Sequence, residues 1–258
     1  MKRMIRLWTL LLALSLALCG AARAEERETL TDGDFAFALL ADGTAEITKY
    51  SGSAEELVIP AELGGRKVTA IGDSAFYNCF DLKSVTIPDS VTAIGDSAFS
   101  YCWNLTSVTI PDSVTAIGDS AFIWCSSLTG VTIPDSVAAI GANPFAYCSE
   151  LTEVIVSKDH PALATIDGVL FSKADRRLVW YPMTKTGASY AIPQGIRIIG
   201  DSAFSYCESL TGVTIPDSVT AIGYDAFYGC DSLTLTVPAG SYAEQYCIDN
   251  GLRYETAE

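Results

Sequence analysis

The sequence predicts a solenoid of short β-strands and short helical turns, and three observations predict it. The first is a repeat of 23 residues: VTAIGDSAFYNCFDLKSVTIPDS from Val68, then VTAIGDSAFSYCWNLTSVTIPDS from Val91 and VTAIGDSAFIWCSSLTGVTIPDS from Val114. The second is that six of the eight cysteines share one repeat position: Cys79, Cys102, Cys125, Cys148, Cys207 and Cys230. The third is a strand-like SVTIP or GVTIP segment in each of these repeats, where polar and apolar residues alternate. A fixed period in this range is typical of architectures in which each coil buries its apolar face against its neighbours.

The N-terminus has the pattern of a signal peptide. Basic residues including Lys2 and Arg3 precede the apolar run Leu7 to Leu18, and Ala22-Arg23-Ala24 resembles a cleavage site. We predict residues 1–24 as a signal peptide cleaved after Ala24, which implies a protein that is secreted or retained at the cell surface. The alternative, lipidation at Cys19, is disfavoured by the bulky residue before it.

The ends of the solenoid are predicted to be capped, because an open stack exposes unpaired edges. Residues 25–56 are the predicted N-terminal cap, a β-hairpin of Phe35 to Leu40 and Thr44 to Tyr50 around Asp42-Gly43. Residues 57–238 are the predicted solenoid. Residues 239–258 are the predicted C-terminal cap, with a helix from Ser241 to Asn250 and a final strand near Leu252 to Tyr254.

The coil that begins at Val91 shows how each repeat position is interpreted. Gly95 allows a sharp corner, and Asp96 stands where the N-cap of a short helical turn belongs. Ser107 to Ile110 alternates polar and apolar residues, as a half-buried strand does. The predicted inward side chains are Val91, Ile94, Phe99, Cys102, Leu105, Val108 and Ile110.

One coil is longer than the others. Cys148 and Cys207 are 59 residues apart, and we interpret residues 157–195 as an enlarged coil that contains a β-hairpin of Ile166 to Phe171 and Leu178 to Tyr181. The enlarged coil carries the cations Lys173, Arg176, Arg177 and Lys185. An insertion on a regular scaffold is a natural recognition element, so Arg176 and Arg177 are candidate ligand residues. The alternative is a spacer that only keeps the stack continuous.

The repeated cysteines are predicted to be buried free thiols. Equivalent residues of stacked coils lie about 4.8 Å apart with parallel side chains, whereas a disulfide needs Cβ atoms about 3.8 Å apart that face each other. Only Cys247, outside the register, is a plausible disulfide partner, and Cys230 is the nearest candidate. Without a CxxC motif or a Cys/His cluster we predict no metal, and the repeated aspartates are interpreted as caps rather than as calcium ligands.

Charge limits the partners. The formal charge is −15, and removal of the signal peptide takes away four cations and no anion, which gives −19. Such a chain repels phosphate backbones and anionic lipids, so we expect neither nucleic acid nor membrane partners. Beyond residue 24 no apolar stretch is long enough to span a bilayer, and we expect a monomer.

The pattern IPDSVTAIGDSAFSYCWNLTSVTIP closely resembles the BspA-like leucine-rich-repeat surface proteins of bacteria. The resemblance covers nearly the whole predicted mature chain. It implies a β-rich leucine-rich-repeat solenoid in an exported binding protein, with adhesion to extracellular proteins as the usual suggestion.

Positions that vary between repeats are candidates for ligand contact. Two residues after each corner phenylalanine lie Asn78, Tyr101, Trp124, Tyr147, Tyr206 and Gly229, and Trp103 lies beside this column. Aromatic rows give large contact areas at low entropic cost. The alternative is a row of rings that pack on one another and stiffen the fold. A second candidate surface is the small polar strand face that contains Thr86, Thr109 and Thr132.

Nothing in the sequence points to catalysis. There is one histidine, His160, in a predicted loop, and no GxSxG, HExxH or glycine-rich phosphate motif. We therefore predict a non-enzymatic protein without cofactors that binds an extracellular protein or glycan. The alternative is a structural element of a surface layer or biofilm.

Overall fold

The computed structural model describes residues 28–257, which form a β-solenoid. The predicted signal peptide and its cleavage position lie outside the described residues. Within those residues, no helix is both long enough and apolar enough to cross a bilayer.

The N-terminal cap is an antiparallel meander of β1 (Thr29–Asp32), β2 (Phe35–Leu39) and β3 (Ala45–Tyr50). The hairpin between β2 and β3 confirms the prediction from Asp42-Gly43. Gly43 has a φ of 80°, and the Asp42 carboxylate accepts hydrogen bonds from the backbone N–H and the hydroxyl of Thr44 at 3.0 and 2.6 Å. Strand β1, which the sequence analysis did not include, adds a third strand to the cap.

The first block of coils contains ten strands. In chain order they are β4 (Glu56–Val58), β5 (Glu62–Leu63), β6 (Arg66–Ile71), β7 (Ser84–Thr86), β8 (Ala93–Ile94), β9 (Ser107–Thr109), β10 (Ala116–Ile117), β11 (Gly130–Ile133), β12 (Ala139–Ile140) and β13 (Glu153–Val156). Equivalent strands of adjacent coils pair in parallel at the repeat register, so that Ile71, Ile94 and Ile117 lie side by side. Strand β3 pairs with β6 and adds Ile47 to this row, which joins the cap to the stack.

The corner segment of each coil is a hydrogen-bonded turn, and the predicted helical turn is wrong. Ser97 and Tyr101 have φ values of 54° and 61°, in the left-handed region that a right-handed helix excludes. Their N–H groups instead donate to the carbonyls of Asp119 and Ile123 in the next coil, at 2.8 and 2.9 Å. The corner segments therefore form a third row of bonds between coils, beside the two rows of strands.

The repeated aspartates do not cap their own turns, which corrects a second prediction. Four carboxylates each accept a hydrogen bond from a backbone N–H one coil further along: Asp73, Asp96, Asp119 and Asp201. The residue that follows each of these aspartates, such as Ser97, has a left-handed backbone. The turn is therefore not a helix and needs no N-cap. Within residues 28–257, no group of three or more His, Cys, Asp or Glu side chains is placed to hold a metal.

In the enlarged coil, a meander of three strands stands in place of the two-stranded hairpin predicted. They are β14 (Leu163–Ile166), β15 (Val169–Ser172) and β16 (Arg177–Trp180), and they form an antiparallel meander. The predicted strand Ile166 to Phe171 is broken because Asp167 and Gly168 have φ values of 51° and 79°. Two successive positive φ angles are the signature of a type I′ hairpin turn, for which Asp-Gly is a preferred pair.

The second block of coils runs through β17 (Ser189–Ala191), β18 (Ile198–Ile199), β19 (Gly212–Thr214), β20 (Ala221–Ile222) and β21 (Thr234–Pro238). Strand β18 pairs in parallel with β16 and β20, so the insertion continues the stack. Helix α1 (Tyr242–Asn250) starts at the N-cap Ser241 and ends at the left-handed Gly251, as predicted. The final strand, β22 (Tyr254–Ala257), begins at the end of the predicted segment and pairs with β21.

The interior is built from rows of identical side chains. Phe76, Phe99 and Phe122 stack with ring centroids 4.9 and 5.3 Å apart. The seven described cysteines are free thiols, and no Cys230–Cys247 disulfide forms. Five of the thiols donate to carbonyls of the preceding coil; the Cys125 Sγ, for example, donates to the Phe99 oxygen at 3.1 Å. The predicted column of buried thiols is confirmed, with partial exposure at its two ends.

Candidate functional site

Six aromatic side chains form a continuous row along the corner segments, and we call this row the aromatic ladder: Tyr77, Tyr101, Trp124, Tyr147, Tyr206 and Tyr228. The central rings are stacked, with Tyr101 and Trp124 6.0 Å apart and Trp124 and Tyr147 4.5 Å apart between centroids. Contacts towards both ends are edge-on. The structure thus brings four of the predicted site residues together in one row.

Four of the six ladder residues occupy an unfavourable backbone position: Tyr101, Trp124, Tyr147 and Tyr206. Tyr101, Trp124 and Tyr147 each have a φ of 61°, and at the two ends of the row the same position holds Asn78, also at 61°, and Gly229, at 74°. Asn and Gly adopt this conformation readily, whereas other residues there cost about 1–3 kcal/mol each. Each aromatic pair stabilises the folded state by about 0.5–1.5 kcal/mol. Backbone geometry therefore gives no reason to place large rings at these positions.

A groove opens where the ladder crosses the enlarged coil. It has a volume of about 240 Å³ and is lined by Trp124, Ser126, Tyr147, Ser149, Met183 and Tyr206. Met183 takes the ladder position of the enlarged coil, which the sequence analysis missed. The signal was available, because Met183 precedes Tyr206 by one 23-residue period. A flexible thioether between aromatic rings makes this the most adaptable part of the ladder.

Trp103 lies outside the ladder, in a neighbouring column. Its side chain is half exposed, as are those of Tyr77 and Phe80 one coil earlier. Among the described residues, neither Trp103 nor Phe80 makes a ring–ring contact, so their rings are not used to stack coils. Phe80 lines the same surface groove as Tyr77, at the N-terminal end of the ladder.

The predicted polar strand face has apolar ends. Thr86, Thr109 and Thr132 are all exposed, and Thr86 and Thr109 are paired neighbours in the sheet. Val58 lies beside Thr86 on β4, and Ile155 lies beside Thr132 on β13. Both apolar side chains are exposed, with Val58 at 73%. The sequence analysis did not include either of them.

The two predicted arginine sites differ in their surroundings. The Arg177 guanidinium donates to the carbonyls of Ile140 and Gly141 at 2.7 and 3.1 Å, and its Nε lies 3.0 Å from the Asp175 carboxylate. These bonds join the enlarged coil to the preceding one, so Arg177 is a structural residue. Arg176 is exposed, and it remains available to a ligand.

Other polar residues of the enlarged coil are also used structurally. Lys173 and Lys185 donate to the carbonyls of His160 and Asp167 at 2.6 and 2.7 Å. His160 is fully buried; its Nδ1 accepts the N–H groups of Ala162 and Leu163, which leaves Nε2 to donate to the Pro134 oxygen at 3.0 Å. These contacts favour the interpretation of the insertion as a spacer.

The described cysteines are held as protonated thiols. Burial raises the pKa of the Cys148 thiol to about 12 and that of Cys230 to about 11. At neutral pH these cysteines are thiols rather than nucleophilic thiolates. What the surface offers is a set of aromatic and hydroxyl contacts.

The stacked coils, with fixed inward side chains and varied outward ones, define a leucine-rich-repeat scaffold protein. The model of the BspA type leucine-rich repeat region matches six copies over residues 49–178 and 183–250, and the chain belongs to this family.

Solved structures show the same scaffold. A leucine-rich cell surface protein from Faecalibacterium prausnitzii is 26% identical, with 91% of this chain and 96% of that chain covered and a TM-score of 0.52. A leucine-rich repeat protein from Eubacterium ventriosum is 23% identical, with 83% and 73% covered and a TM-score of 0.57. The pneumococcal vaccine antigen PcpA is 18% identical, with 81% of each chain covered and a TM-score of 0.51. The last two likenesses show the fold alone. No curated protein sequence matches the chain.

Proposed function

We propose that this chain is an exported, non-catalytic binding protein that recognises an extracellular protein through the aromatic ladder. The likeness to the Faecalibacterium prausnitzii cell surface protein and the signal-peptide pattern of residues 1–24 support a secreted or cell-surface location.

The observation that carries the proposal is the choice of residue at the left-handed corner position. The chain places Asn78 and Gly229 there at the ends of the ladder, and Tyr101, Trp124 and Tyr147 between them. Strained residues that folding does not require are typical of functional surfaces. Tyrosine and tryptophan are also the residues most enriched at binding hot spots.

The geometry favours a protein over a glycan as the ligand of this surface. In the central ladder the rings are nearly parallel, with 13° between Tyr101 and Trp124 and 12° between Trp124 and Tyr147, so stacked neighbours cover each other's faces. A sugar ring binds to an open aromatic face. A protein surface can pack against ring edges and tyrosine hydroxyls along the whole row, and the groove at Met183 can take a projecting side chain.

Labelled protein comprising residues 25–258 tests the proposal on intact bacterial and cultured epithelial cells. We expect saturable binding with a component that protease treatment of the cells removes and periodate treatment does not. The ladder variant, in which Tyr101, Trp124 and Tyr147 are each replaced by Asn, is expected to bind at least about tenfold more weakly, the equivalent of about 1.4 kcal/mol.

The matched control is the strand-face variant, with Thr86, Thr109 and Thr132 each replaced by Ala, which is expected to bind like the unmodified chain. Equal binding by the ladder variant, or binding lost only from the strand-face variant, contradicts the proposal. Self-assembly into ordered arrays without cell binding would instead support the role of a surface-layer or biofilm element.

A further inference from the structure

The C-terminal end of the solenoid contains a second groove, separate from the aromatic ladder groove at Met183. It lies between the last regular coil and helix α1 and has a volume of about 510 Å³. Ligand sites typically occupy about 300–1,000 Å³. Its lining includes the tyrosines Tyr224, Tyr228 and Tyr246 and the polar residues Asp225 and Asn250.

Tyr224 is a departure from the repeat. It follows the corner glycine, where other coils place the aspartate that accepts a bond from the next coil. The Tyr224 N–H donates to Asp201 at 2.9 Å, but its side chain is 80% exposed. Among the described residues it makes no ring–ring contact. The equivalent position before the enlarged coil holds Ala142, so the fold does not need a large ring there.

The polar groups of the groove have unused capacity to accept hydrogen bonds. The half-buried carboxylate of Asp225 accepts no hydrogen bond from the described part of the chain. Asn250 uses its Nδ2 to donate to the Tyr246 carbonyl at 2.9 Å, which leaves its side-chain oxygen free to accept. A ligand that fits these groups brings several donors and a face that packs on tyrosine.

We infer that this groove binds a neutral saccharide. Hydroxyl groups of the sugar donate to Asp225 and Asn250, and the C–H face of a pyranose ring packs against Tyr224. Acidic and phosphorylated sugars are excluded by the Asp225 carboxylate and by the negative charge of the whole chain. The site can be tested apart from the proposed function, since Tyr228 is the one ladder residue in its lining and the residues changed in the ladder variant do not line it.

The test is binding of the labelled 25–258 protein to an array of neutral, sialylated and sulfated glycans, followed by calorimetric titration of the neutral glycans retained. Tyr224→Ala copies Ala142 and is expected to weaken binding at least about tenfold. Asn250→Ala is expected to weaken it as well. Tyr242→Ala is the matched control. Tyr242 is an exposed tyrosine at the start of helix α1, and it does not line the groove.

Unchanged melting temperatures show that the variants fold. The ladder variant is expected to keep full saccharide binding, so the two proposals fail separately. The inference is overturned if no neutral glycan is retained, if only sialylated or sulfated glycans are retained, or if Tyr224→Ala binds as well as the unmodified protein.

Discussion

The carboxylate of Asp96 accepts a 2.8 Å hydrogen bond from the backbone N–H of Asp119, the residue at the same position of the next coil. The chain places aspartate here only where a regular coil follows. Before the enlarged coil the residue is Ala142, and in the last regular coil it is Tyr224. We call these residues the aspartate column: Asp73, Asp96, Asp119 and Asp201. Their side chains join neighbouring coils.

Removing one member of this column should weaken the stack. For Asp96→Ala we expect a loss of about 1 kcal/mol in the free energy of unfolding, because the Asp119 N–H loses its acceptor. Urea denaturation measures the change. Asp112→Ala is the control, since it removes the same charge from an exposed turn residue that makes no bond between coils within the described chain. Equal losses in both variants would refute the role of the column.

Close approach of coils explains the glycine before each aspartate. A Cβ atom on Gly95 would lie 2.6 Å from the Asp73 carboxylate and 2.8 Å from the Asp73 nitrogen. Gly95→Ala is expected to destabilise the protein by about 1–3 kcal/mol, as overpacking does. At Gly130 the nearest atom to an added Cβ is 3.8 Å away, so Gly130→Ala should change stability by less than about 0.5 kcal/mol. Thermal melts of both variants give the comparison, and a harmless Gly95→Ala would contradict the packing described.

Adjacent arginines provide a matched pair in the enlarged coil. Arg177→Ala should cost about 2 kcal/mol because two carbonyls of the preceding coil lose a charged donor. Arg176→Ala removes an exposed side chain and is expected to stay within about 0.5 kcal/mol of the unmodified protein. Chemical denaturation distinguishes them. A larger loss for Arg176→Ala would show that Arg177 does not tie the coils together.

The buried thiols should make the fold sensitive to alkali. A thiol of ordinary pKa near 9 ionises in the unfolded chain, whereas burial raises the pKa of Cys148 to about 12 in the folded one. The unfolded state therefore binds fewer protons between pH 9 and 12, and stability falls as pH rises through that window. Each such thiol contributes up to about 1.4 kcal/mol per pH unit.

Denaturation under reducing conditions at pH 8, 9.5 and 10.5 measures this slope. Cys148→Ala should give a shallower fall than the unmodified chain, since tyrosines and lysines titrate equally in both. An unchanged slope would mean that the Cys148 thiol is ionised in the folded state.

The repeat made the stacking register predictable, because a 23-residue period places equivalent side chains beside each other whatever the detail of the coil. The same logic identified the phenylalanine and cysteine rows. It did not identify the corner conformation, since Ser97 and Tyr101 are not residue types that signal a left-handed backbone. The corner is imposed by hydrogen bonds to the next coil rather than by local propensity.

At the candidate site the sequence indicated the aromatic row and left open whether its rings pack on one another, as Trp124 and Tyr147 do in the structure. Whether Trp124 and Tyr147 stack or project depends on backbone geometry that the residue types do not encode. Asp167-Gly168 was a readable turn signal within the enlarged coil, and Met183 was one period away from Tyr206. Counting back 23 residues from Tyr206 identifies Met183 as the residue at the ladder position of the enlarged coil.

The most direct test of the claim that the aromatic ladder serves binding is the unfolding free energy of the ladder variant, measured on the same preparation as its cell-surface affinity. Because Asn78 already adopts the ladder backbone at a φ of 61°, relief of strain is expected to offset lost stacking, and stability should stay within about 1 kcal/mol while binding is lost. A variant that is destabilised by more than about 3 kcal/mol and still binds cells would show that the rings serve the fold instead.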